Sequence, residues 1–170
     1  MSVRVGQGFA RVGQGFDAHR LAAGRALRLG GVAIPYDRGL VGHSDGDVLL
    51  HAIARALLGA LGAGDLGQHF PSSDERWRGA DSAVFVREAA ALARRRGLAV
   101  ANLDATVIAE APRLAPHQEA MRRNVAALLD APAEVVNIQL TSTDGLGAIG
   151  RGEGIAAQAV VLLAPPETGA

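Results

Sequence analysis

Apolar and polar positions follow two periods along the chain, one typical of strands and one typical of helices. Strands are predicted at residues 11–17, in two apolar pieces within 26–34 that pair antiparallel before Pro35, and at 100–108, 135–141 and 155–163. Helical periodicity predicts helices at 45–61, 82–96 and 116–129. Because strands and helices alternate, the pattern predicts an α/β or α+β sandwich.

The first predicted helix has signals at both of its ends. Ser44 or Asp45 is expected to cap its N-terminus, and the Gly62-Ala63-Gly64 segment is expected to end it. The next stretch, 65–79, contains Gly, Pro and Ser throughout. It is therefore predicted to be a long ordered loop, and loops of this length often carry function.

A short segment is repeated at the start of the chain. Arg4-Val5-Gly6-Gln7-Gly8-Phe9 recurs as Arg11-Val12-Gly13-Gln14-Gly15-Phe16, and only the second copy continues into Asp17 and His19. The second copy is therefore taken as the functional strand, and the first as a local duplication or a misjudged start, with an extra edge strand as the alternative. The predicted organisation is an extra segment at 1–10, one domain at 11–164 and a tail at 165–170.

Composition limits the classes of partner and chemistry. The 170 residues, 49% of them hydrophobic, are enough for one domain with a core. All 17 basic residues are Arg, and 17 acids balance them, so an overall attraction to nucleic acid or an anionic membrane is not expected. The absence of Cys excludes disulfides, thiolate metal ligands and a cysteine nucleophile. No apolar run of membrane-spanning length and no signal-peptide pattern is seen, so a cytoplasmic protein is expected.

Three residues form a candidate metal site. Asp17 and His19 alternate across one residue at a strand end and so project to the same side, and His51 on the first helix completes a set of three. Helical spacing puts Asp47 and Arg55 on the same face as His51. Two imidazoles and a carboxylate suit zinc with an open coordination position, and they also suit non-haem iron. An iron(II) oxygenase is the weaker interpretation, because those enzymes usually place the triad on an all-β jelly roll.

Two further segments suit phosphate. His43-Ser44-Asp45-Gly46 opens the first helix, where free N–H groups and the positive helix end predict a phosphate seat, with plain N-capping as the alternative. Near the C-terminus, the Thr141–Gly147 and Gly150–Gly154 stretches offer hydroxyls, peptide N–H groups and Arg151 to phosphate oxygens. Asp144 there is suited to a harder cation such as magnesium. The Walker and dinucleotide fingerprints are absent.

Across about 11–163, the chain resembles the 2-C-methyl-D-erythritol 2,4-cyclodiphosphate synthase family, the cyclases of the non-mevalonate isoprenoid pathway. The resemblance implies a ferredoxin-like sandwich with a four-stranded mixed sheet packed on helices, and a homotrimer with active sites between subunits. Its blocks, in family order, are Gly15-Phe16-Asp17-Ala18-His19, Ile34-Pro35-Tyr36, His43-Ser44-Asp45-Gly46-Asp47, Ala56-Leu57-Leu58-Gly59-Ala60, Gly64-Asp65-Leu66-Gly67, Phe70-Pro71, Gly79-Ala80-Asp81-Ser82, Ala111-Pro112-Arg113 and Gly150-Arg151-Gly152-Glu153-Gly154.

The implied activity is that of a cyclising, CMP-releasing phosphorus-oxygen lyase. In 4-diphosphocytidyl-2-C-methyl-D-erythritol 2-phosphate, the 2-phosphate attacks the β-phosphorus of the CDP group and closes a cyclic diphosphate. Such chemistry depends on positioning and charge neutralisation rather than on a protein nucleophile. The alternative is a non-catalytic trimeric module that binds nucleotide and metal. The length is that of a cyclase alone, so a fused cytidylyltransferase is not expected.

The resemblance also assigns roles to residues at matching positions. Asp17, His19 and His51 hold one zinc ion per subunit, and Asp144 holds the magnesium or manganese ion that bridges the nucleotide phosphates. His43 and Ser142 match positions that support the transition state. The implied substrate-binding residues are Asp17, Ala18, His19, His43, Ser44, Asp65, Leu66, Gly67, Phe70, Pro71, Ser72, Ser73, Asp74, Ala109, Glu110, Ala111, Pro112, Arg113, Leu114, Ala115, Thr141, Ser142, Thr143, Asp144, Ala148 and Arg151.

Within that set the resemblance distinguishes three subsites. His43, Ser44 and the loop 70–74 grip substrate phosphate and erythritol, and Asp65 binds erythritol hydroxyls. The 109–115 segment forms a cytosine pocket through backbone groups, and Thr141 and Ser142 contact the nucleotide phosphates. Arg151 matches a residue at the trimer axis, where family members hold an isoprenoid diphosphate.

The chain departs from the family pattern at a few positions. Arg55 replaces an acid that is frequent one turn after the helix histidine; if that acid orients the zinc ligand, His51 needs another partner here. Asp144 replaces Glu, and Ala148 replaces a Phe that lines the trimer cavity. In the phosphate loop, Ser72 and Ser73 replace Asp-Thr.

Two side chains outside the motifs are given structural roles. Trp77 is expected to pack at the rim of the site rather than to stack on a base. Glu153 is expected to fix Arg151 or a subunit contact rather than to act in catalysis.

Overall fold

The structure is a computed structural model that describes residues 9–166. Most of the predicted extra segment at 1–10 and of the tail at 165–170 lies outside the described residues. The strands are β1 Arg11–Ala23, β2 Leu27–Leu29, β3 Val32–Ile34, β4 Arg38–Leu40, β5 Ala99–Ile108, β6 Val136–Thr141 and β7 Gly154–Ala164. The helices are α1 Val48–Leu61, α2 Leu66–His69, α3 Ala83–Arg95, α4 Gln118–Leu129 and α5 Gly147–Gly150, with 3-10 turns at Glu75–Trp77, Ala115–His117 and Ala133–Val135.

The main sheet has five strands in the order β4-β1-β7-β5-β6, and β2 pairs with β3 in a separate hairpin. The sheet is mixed, since β5 and β6 are parallel and the other neighbours are antiparallel. The four-stranded prediction was wrong because β1 extends to Ala23, well past residue 17. Its last three residues run beyond the end of β7 and pair with the short β4 instead.

The predicted α/β sandwich is confirmed, but its connectivity is not ferredoxin-like. The four long strands and the three long helices occur along the chain as β-α-α-β-α-β-β, because α1 and α3 both lie between β1 and β5, α4 joins β5 to β6, and β7 follows β6 without an intervening long helix. A ferredoxin-like chain runs β-α-β-β-α-β. The parallel β5–β6 pair brings the carboxyl ends of these two strands to one edge of the sheet, which is a common place for a ligand.

Helix α1 packs directly on β1 because two strand glycines leave room for it. A Cβ atom at Gly13 would lie 2.0 Å from the carbonyl oxygen of Ala56, and one at Gly15 would lie 2.0 Å from that of Ala52. No larger residue fits at these positions without moving the helix. This close approach places His51 of α1 beside Asp17 and His19 in the middle of β1.

The core is centred on α1, which lies between the sheet and α3. Every residue of α1 except Arg55 and Gly59 is buried. The largest fully buried side chains include Leu49, Leu50, Ile53, Leu57, Leu58 and Leu61 of this helix. Within residues 9–166, no helix is long and apolar enough to cross a membrane.

The N-terminal cap of α1 differs from the prediction. Asp47, rather than Ser44 or Asp45, caps the helix and accepts a hydrogen bond from the N–H of Leu50. The Asp47 carboxylate also accepts from the N–H groups of Gly30 at 3.0 Å and Gly31 at 2.7 Å, so it ties the β2–β3 turn to the helix. Burial raises the pKa of Asp47, although these three N–H donors act in the opposite direction.

The sheet face opposite α1 is open within the described chain. The apolar side chains of Val12, Phe16 and Val160 project from it. They are 68%, 56% and 40% exposed, whereas Val and Phe side chains are usually buried. Asp104 on the same face accepts hydrogen bonds from Asn137 and Gln139 of the neighbouring strand. This face therefore combines exposed apolar side chains with a polar ladder.

Candidate functional site

Asp17 and His19 lie in the middle of β1, because the strand continues to Ala23 instead of ending near residue 17 as expected, and His51 of α1 comes together with them there. His51 Nδ1 lies 2.9 Å from Asp17 Oδ2, His19 Nε2 lies 3.0 Å from the same oxygen, and the two histidine nitrogens are 3.0 Å apart. Tetrahedral zinc with ligand bonds of about 2.0–2.1 Å places its ligand atoms about 3.3 Å apart. Three donor atoms in so compact a triangle fit a single bound metal ion.

The charges at the triad favour a cation. Burial alone would raise the pKa of Asp17, but hydrogen bonds from His19 and His51 outweigh it, so the pKa lies well below its ordinary value. The hydrogen bond to Asp17 raises the pKa of His19, against the effect of burial. Asp17 is therefore an ionised carboxylate at neutral pH, as a metal ligand has to be.

The second nitrogen of His51 is held by two serines. Its Nε2 lies 2.9 Å from Ser82 Oγ and 3.0 Å from Ser44 Oγ. The Ser82 hydroxyl donates to the Asp45 carboxylate, so its oxygen accepts the Nε2–H of His51. Nε2 is therefore the nitrogen that keeps its proton, and Nδ1, which faces Asp17 and His19, is the nitrogen that would bind a metal once its own proton is lost.

Ser82 was not among the predicted site residues. It is fully buried at the N-terminal cap of α3, and its hydroxyl is the partner of His51 Nε2. The sequence did contain a signal, since Ser82 ends the Gly79-Ala80-Asp81-Ser82 block that the resemblance identified.

A cavity of about 260 Å³ opens beside the triad. His43 lines it, and its buried Nε2 has no hydrogen-bond partner within residues 9–166. Phe70, Trp77 and Phe85 form an aromatic wall, with ring centroids 4.5 Å apart for Phe70–Phe85 and 5.1 Å for Phe70–Trp77. Trp77 packs in this wall. We call this space the metal cavity. The residues that line it are Asp17, His19, His43, Ser44, His51, Arg55, Leu66, Gly67, Phe70, Ser72, Trp77 and Phe85.

The prediction that free backbone N–H groups at 43–46 form a phosphate site is wrong. The N–H of Asp45 donates to the Ala80 carbonyl, that of Gly46 to Ser44 Oγ, and that of Asp47 to the Asp45 carboxylate. These groups are not free because the helix begins only at Val48, and the segment before it donates to the Ala80 carbonyl and to its own side chains. The Asp47 side chain is likewise directed to the β2–β3 turn, away from His51.

Four predicted substrate residues in the following loop do not line the metal cavity. Asp65 caps α2 by accepting from the N–H of Gln68, and Asp74 caps the Glu75–Trp77 turn. Pro71 and Ser73 complete the group. The long loop is confirmed, and it contains two short helical turns.

A second cavity, of about 320 Å³, lies at the carboxyl ends of β5 and β6. We call it the nucleotide cavity, after the role that the resemblance implies. Glu110 joins the loop after β5 to the loop after β6. Its carboxylate accepts hydrogen bonds from the N–H groups of Thr143 at 3.0 Å and Gly145 at 3.2 Å. These two N–H groups lower the pKa of Glu110. The lining residues are Ala109, Glu110, Pro112, Arg113, Leu114, Ala115, Leu140, Thr141 and Ser142.

The remaining predicted residues lie outside both cavities. Asp144 adopts a left-handed backbone with φ of 52°, and its carboxylate accepts from the Ser142 hydroxyl at 3.2 Å. Arg151 donates to Glu153 at 2.6 Å, in agreement with the predicted role of Glu153. Residues with no lining position in either cavity also include Ala18, Ala111, Thr143 and Ala148.

The two cavities are separate within one chain. They share no lining residue. Strand pairing puts Ala18, Ala156, Ile108 and Thr141 in one row across the sheet. Three strand spacings separate the ends of that row, which is about 14 Å. A ligand confined to either cavity of a single chain therefore does not reach the other.

Comparisons with known proteins give one consistent result. The model of the YgbB family matches residues 10–164. The 2-C-methyl-D-erythritol 2,4-cyclodiphosphate synthase of Geobacillus kaustophilus is 58% identical over 153 residues, which cover 90% of this chain and 97% of that protein. A solved structure of 2C-methyl-D-erythritol-2,4-cyclodiphosphate synthase with CDP bound aligns with a TM-score of 0.83 and 40% identity, over 90% of this chain and 99% of that one.

A larger protein also contains this fold. The bifunctional IspDF of Campylobacter jejuni aligns with a TM-score of 0.89 and 39% identity, over 93% of this chain. The chain spans 43% of the length of that bifunctional protein.

Proposed function

The chain belongs to the YgbB family, and from this membership we propose that it converts 4-diphosphocytidyl-2-C-methyl-D-erythritol 2-phosphate to 2-C-methyl-D-erythritol 2,4-cyclodiphosphate and CMP. This is a step of the non-mevalonate isoprenoid pathway, and the enzyme class is a phosphorus-oxygen lyase. The observation that carries the proposal is the compact Asp17, His19 and His51 triad inside a chain that aligns with a CDP-bound synthase over 90% of its length.

The proposed reaction is an intramolecular displacement at phosphorus. An oxygen of the 2-phosphate forms a bond to the β-phosphorus, and the bond from that phosphorus to the oxygen bridging to the α-phosphate breaks. CMP leaves with the bonding electron pair, so no other reactant is consumed. The task of the protein is to hold the two phosphoryl groups in line and to neutralise their charge.

The triad residues are suited to holding zinc on the β-phosphate side of the substrate. Two imidazole nitrogens and one carboxylate oxygen match the donor set of a catalytic zinc site, and Ser82 and Ser44 support His51 from behind. Bound zinc would supply a Lewis acid for a phosphoryl oxygen.

The other side chains of the metal cavity are assigned to the substrate phosphate and erythritol. His43 is placed to donate its unpartnered Nε2–H to a phosphoryl oxygen as charge develops there. Leu66, Gly67, Phe70 and Ser72 line the space for erythritol. Asp65, Pro71, Ser73 and Asp74 belong to the same loop and are proposed to contact the substrate at the rim.

The nucleotide cavity is proposed to hold the cytidine. Backbone groups of 109–115 surround the cytosine, and Thr141 and Ser142 bind the nucleotide phosphates. Asp144, which is joined to Ser142 by a hydrogen bond, is proposed to hold magnesium or manganese on the diphosphate. Ser142 is the second residue proposed to support the transition state.

A homotrimer would complete the site between subunits. The substrate has to occupy both a cytosine pocket and the metal centre, and the two cavities of one chain lie about 14 Å apart across the sheet. The open sheet face, with exposed Val12, Phe16 and Val160, is a surface that a second copy would cover. Arg151 and Ala148 are proposed to lie near the trimer axis, where an isoprenoid diphosphate would bind. A cytoplasmic location stays a prediction.

Release of CMP tests the proposal. Purified protein is supplied with zinc, magnesium and the diphosphocytidyl substrate, alongside His51→Ala and the control His69→Ala, which changes an exposed histidine outside the metal cavity. We expect the wild type and His69→Ala to release CMP, and His51→Ala to lose more than about 100-fold of the rate, because loss of a ligand exceeds the usual effect of a supporting residue.

The same assay separates the two candidate functions. Zinc-loaded wild type that binds CDP but releases no CMP would exclude the cyclase and favour the non-catalytic module. Sedimentation of the wild type tests the trimer independently of turnover.

A further inference from the structure

We propose that Arg55 binds the phosphoryl group that sits beside the metal centre. Arg55 follows His51 by one turn of α1, and it lines the metal cavity together with Asp17, His19 and His43. It is also the one residue of α1 with a charged side chain, and it is half-buried while its neighbours on the helix are buried. The inference deepens the proposed function, because the ligand class is the substrate phosphoryl group.

The Arg55 guanidinium has N–H donors that make no hydrogen bond within the described residues. Its Nη2 lies 3.7 Å from Asp17 Oδ1, which is too long for a hydrogen bond. Its Nε is buried and has no hydrogen-bond partner within the described residues. A guanidinium carries five N–H donors, and leaving a buried one unpaired costs stability unless a ligand satisfies it.

The two oxygens of the Asp17 carboxylate have different partners. Oδ2 lies within 3.0 Å of both histidine nitrogens, whereas Oδ1 faces Arg55. The oxygen on the metal side is therefore not the one nearest the guanidinium. Arg55 and the three donor residues line the same cavity, so a phosphoryl group held there would have both the triad and the guanidinium around it, which fits two-point recognition of a phosphoryl oxygen pair.

Arg55 also changes the charge of the cavity. With a divalent ion bound, the charges of the metal, Asp17 and Arg55 are +2, −1 and +1, which gives a net +2. An acid at position 55, as the family resemblance leads one to expect, would give a net charge of zero. The arginine therefore makes this metal cavity more favourable for a phosphoryl group than that pattern would.

Binding of CDP and CMP tests the inference. CDP carries the β-phosphate and CMP lacks it, so the ratio of their dissociation constants reports on the subsite beside the metal. Zinc-loaded wild type, Arg55→Gln, Arg55→Lys and the exposed control Arg95→Gln are titrated by calorimetry with each nucleotide and with inorganic phosphate. A chelator competition on the same proteins gives the affinity for zinc.

We expect Arg55→Gln to weaken CDP binding about 10-fold to 100-fold while CMP binding stays within about twofold. Arg55→Lys should restore part of the loss, because it keeps the charge but not the fork of donors. Zinc affinity should stay close to that of the wild type. Arg55-dependent binding of CDP alone assigns the group to the nucleotide substrate, and an equal dependence for inorganic phosphate assigns free phosphate.

Two results would overturn the inference. One is an equal effect, or none, of Arg55→Gln on CDP, CMP and phosphate. The other is a loss of zinc affinity as large as the loss of CDP affinity, which would mean that Arg55 acts on Asp17 instead. Wild type that binds CDP through Arg55 yet releases no CMP would disprove the cyclase and leave the inference standing.

Discussion

The metal cavity and the nucleotide cavity are built in opposite ways. The three metal-site side chains come from a strand and a buried helix, and each has fixed partners, such as Ser82 behind His51. The nucleotide cavity lies between two exposed loops after β5 and β6, and Glu110 holds those loops together through backbone N–H groups. The first cavity therefore depends on side-chain identity and helix position, and the second depends on backbone shape.

The largest expected effect is on the helix contact behind the metal cavity. Gly15→Ala puts a methyl group against the backbone of α1, so we expect a loss of about 3 kcal/mol or more in unfolding free energy, together with weaker zinc binding as His51 moves away from Asp17. Urea unfolding and chelator competition measure the two effects.

Gly59→Ala is the matched control for that change. Gly59 lies on α1 facing the same strand, but a Cβ atom there has ordinary room, at 3.5 Å from the nearest atom. Alanine is the better helix former, so this variant should keep or gain stability by up to about 1 kcal/mol. Equal stability of Gly15→Ala and Gly59→Ala would contradict the close-contact argument.

An intermediate effect is expected from the serine behind His51. Ser82→Ala removes the acceptor of the Nε2–H, and we expect zinc affinity to fall about 10-fold to 100-fold. Ser142→Ala is the matched serine variant in the other cavity. It removes a hydroxyl from the nucleotide cavity and should leave zinc affinity unchanged. If both variants lowered zinc affinity alike, the two cavities would not be independent.

The smallest effect is expected at the loop clamp of the nucleotide cavity. Glu110→Ala releases the backbone near Thr143 and Gly145, so CDP should bind a few-fold more weakly while zinc affinity and unfolding stay as in the wild type. Glu88→Ala, an exposed acid on α3, is the control. A loss of zinc affinity in Glu110→Ala would count against the separation of the cavities.

Much of the metal site could be predicted from local pattern. The alternation of Asp17 and His19 fixes a common side of β1, and the helical period fixes His51 on a buried face, so the triad needed only that α1 pack on β1. The glycines that allow this packing are visible in the sequence as well. Ser82 was missed because its contact with His51 spans 31 residues and depends on where α3 begins.

The sheet was harder to predict from the sequence. Strand β4 has three residues and no alternation, so periodicity gives no signal for it, and it forms only because β1 overhangs β7. The helix cap was predicted at Ser44 or Asp45 instead of Asp47. The Asp47 carboxylate is also held by the N–H groups of Gly30 and Gly31, which lie on a distant turn that local helix signals do not include. The residues of the nucleotide cavity were predicted only through the family resemblance. Binding by backbone groups does not require particular side chains, so the sequence pattern alone gives little sign of it.

The near-complete burial of α1 has a consequence for how this site can evolve. Twelve of its fourteen residues are buried, so most substitutions in the helix that carries His51 would disturb packing before they changed chemistry. Arg55 reaches the metal cavity from one of the two positions that escape this constraint. Within α1, a change in the charge of the site is therefore confined to position 55, where an acid can be exchanged for a base without repacking the core.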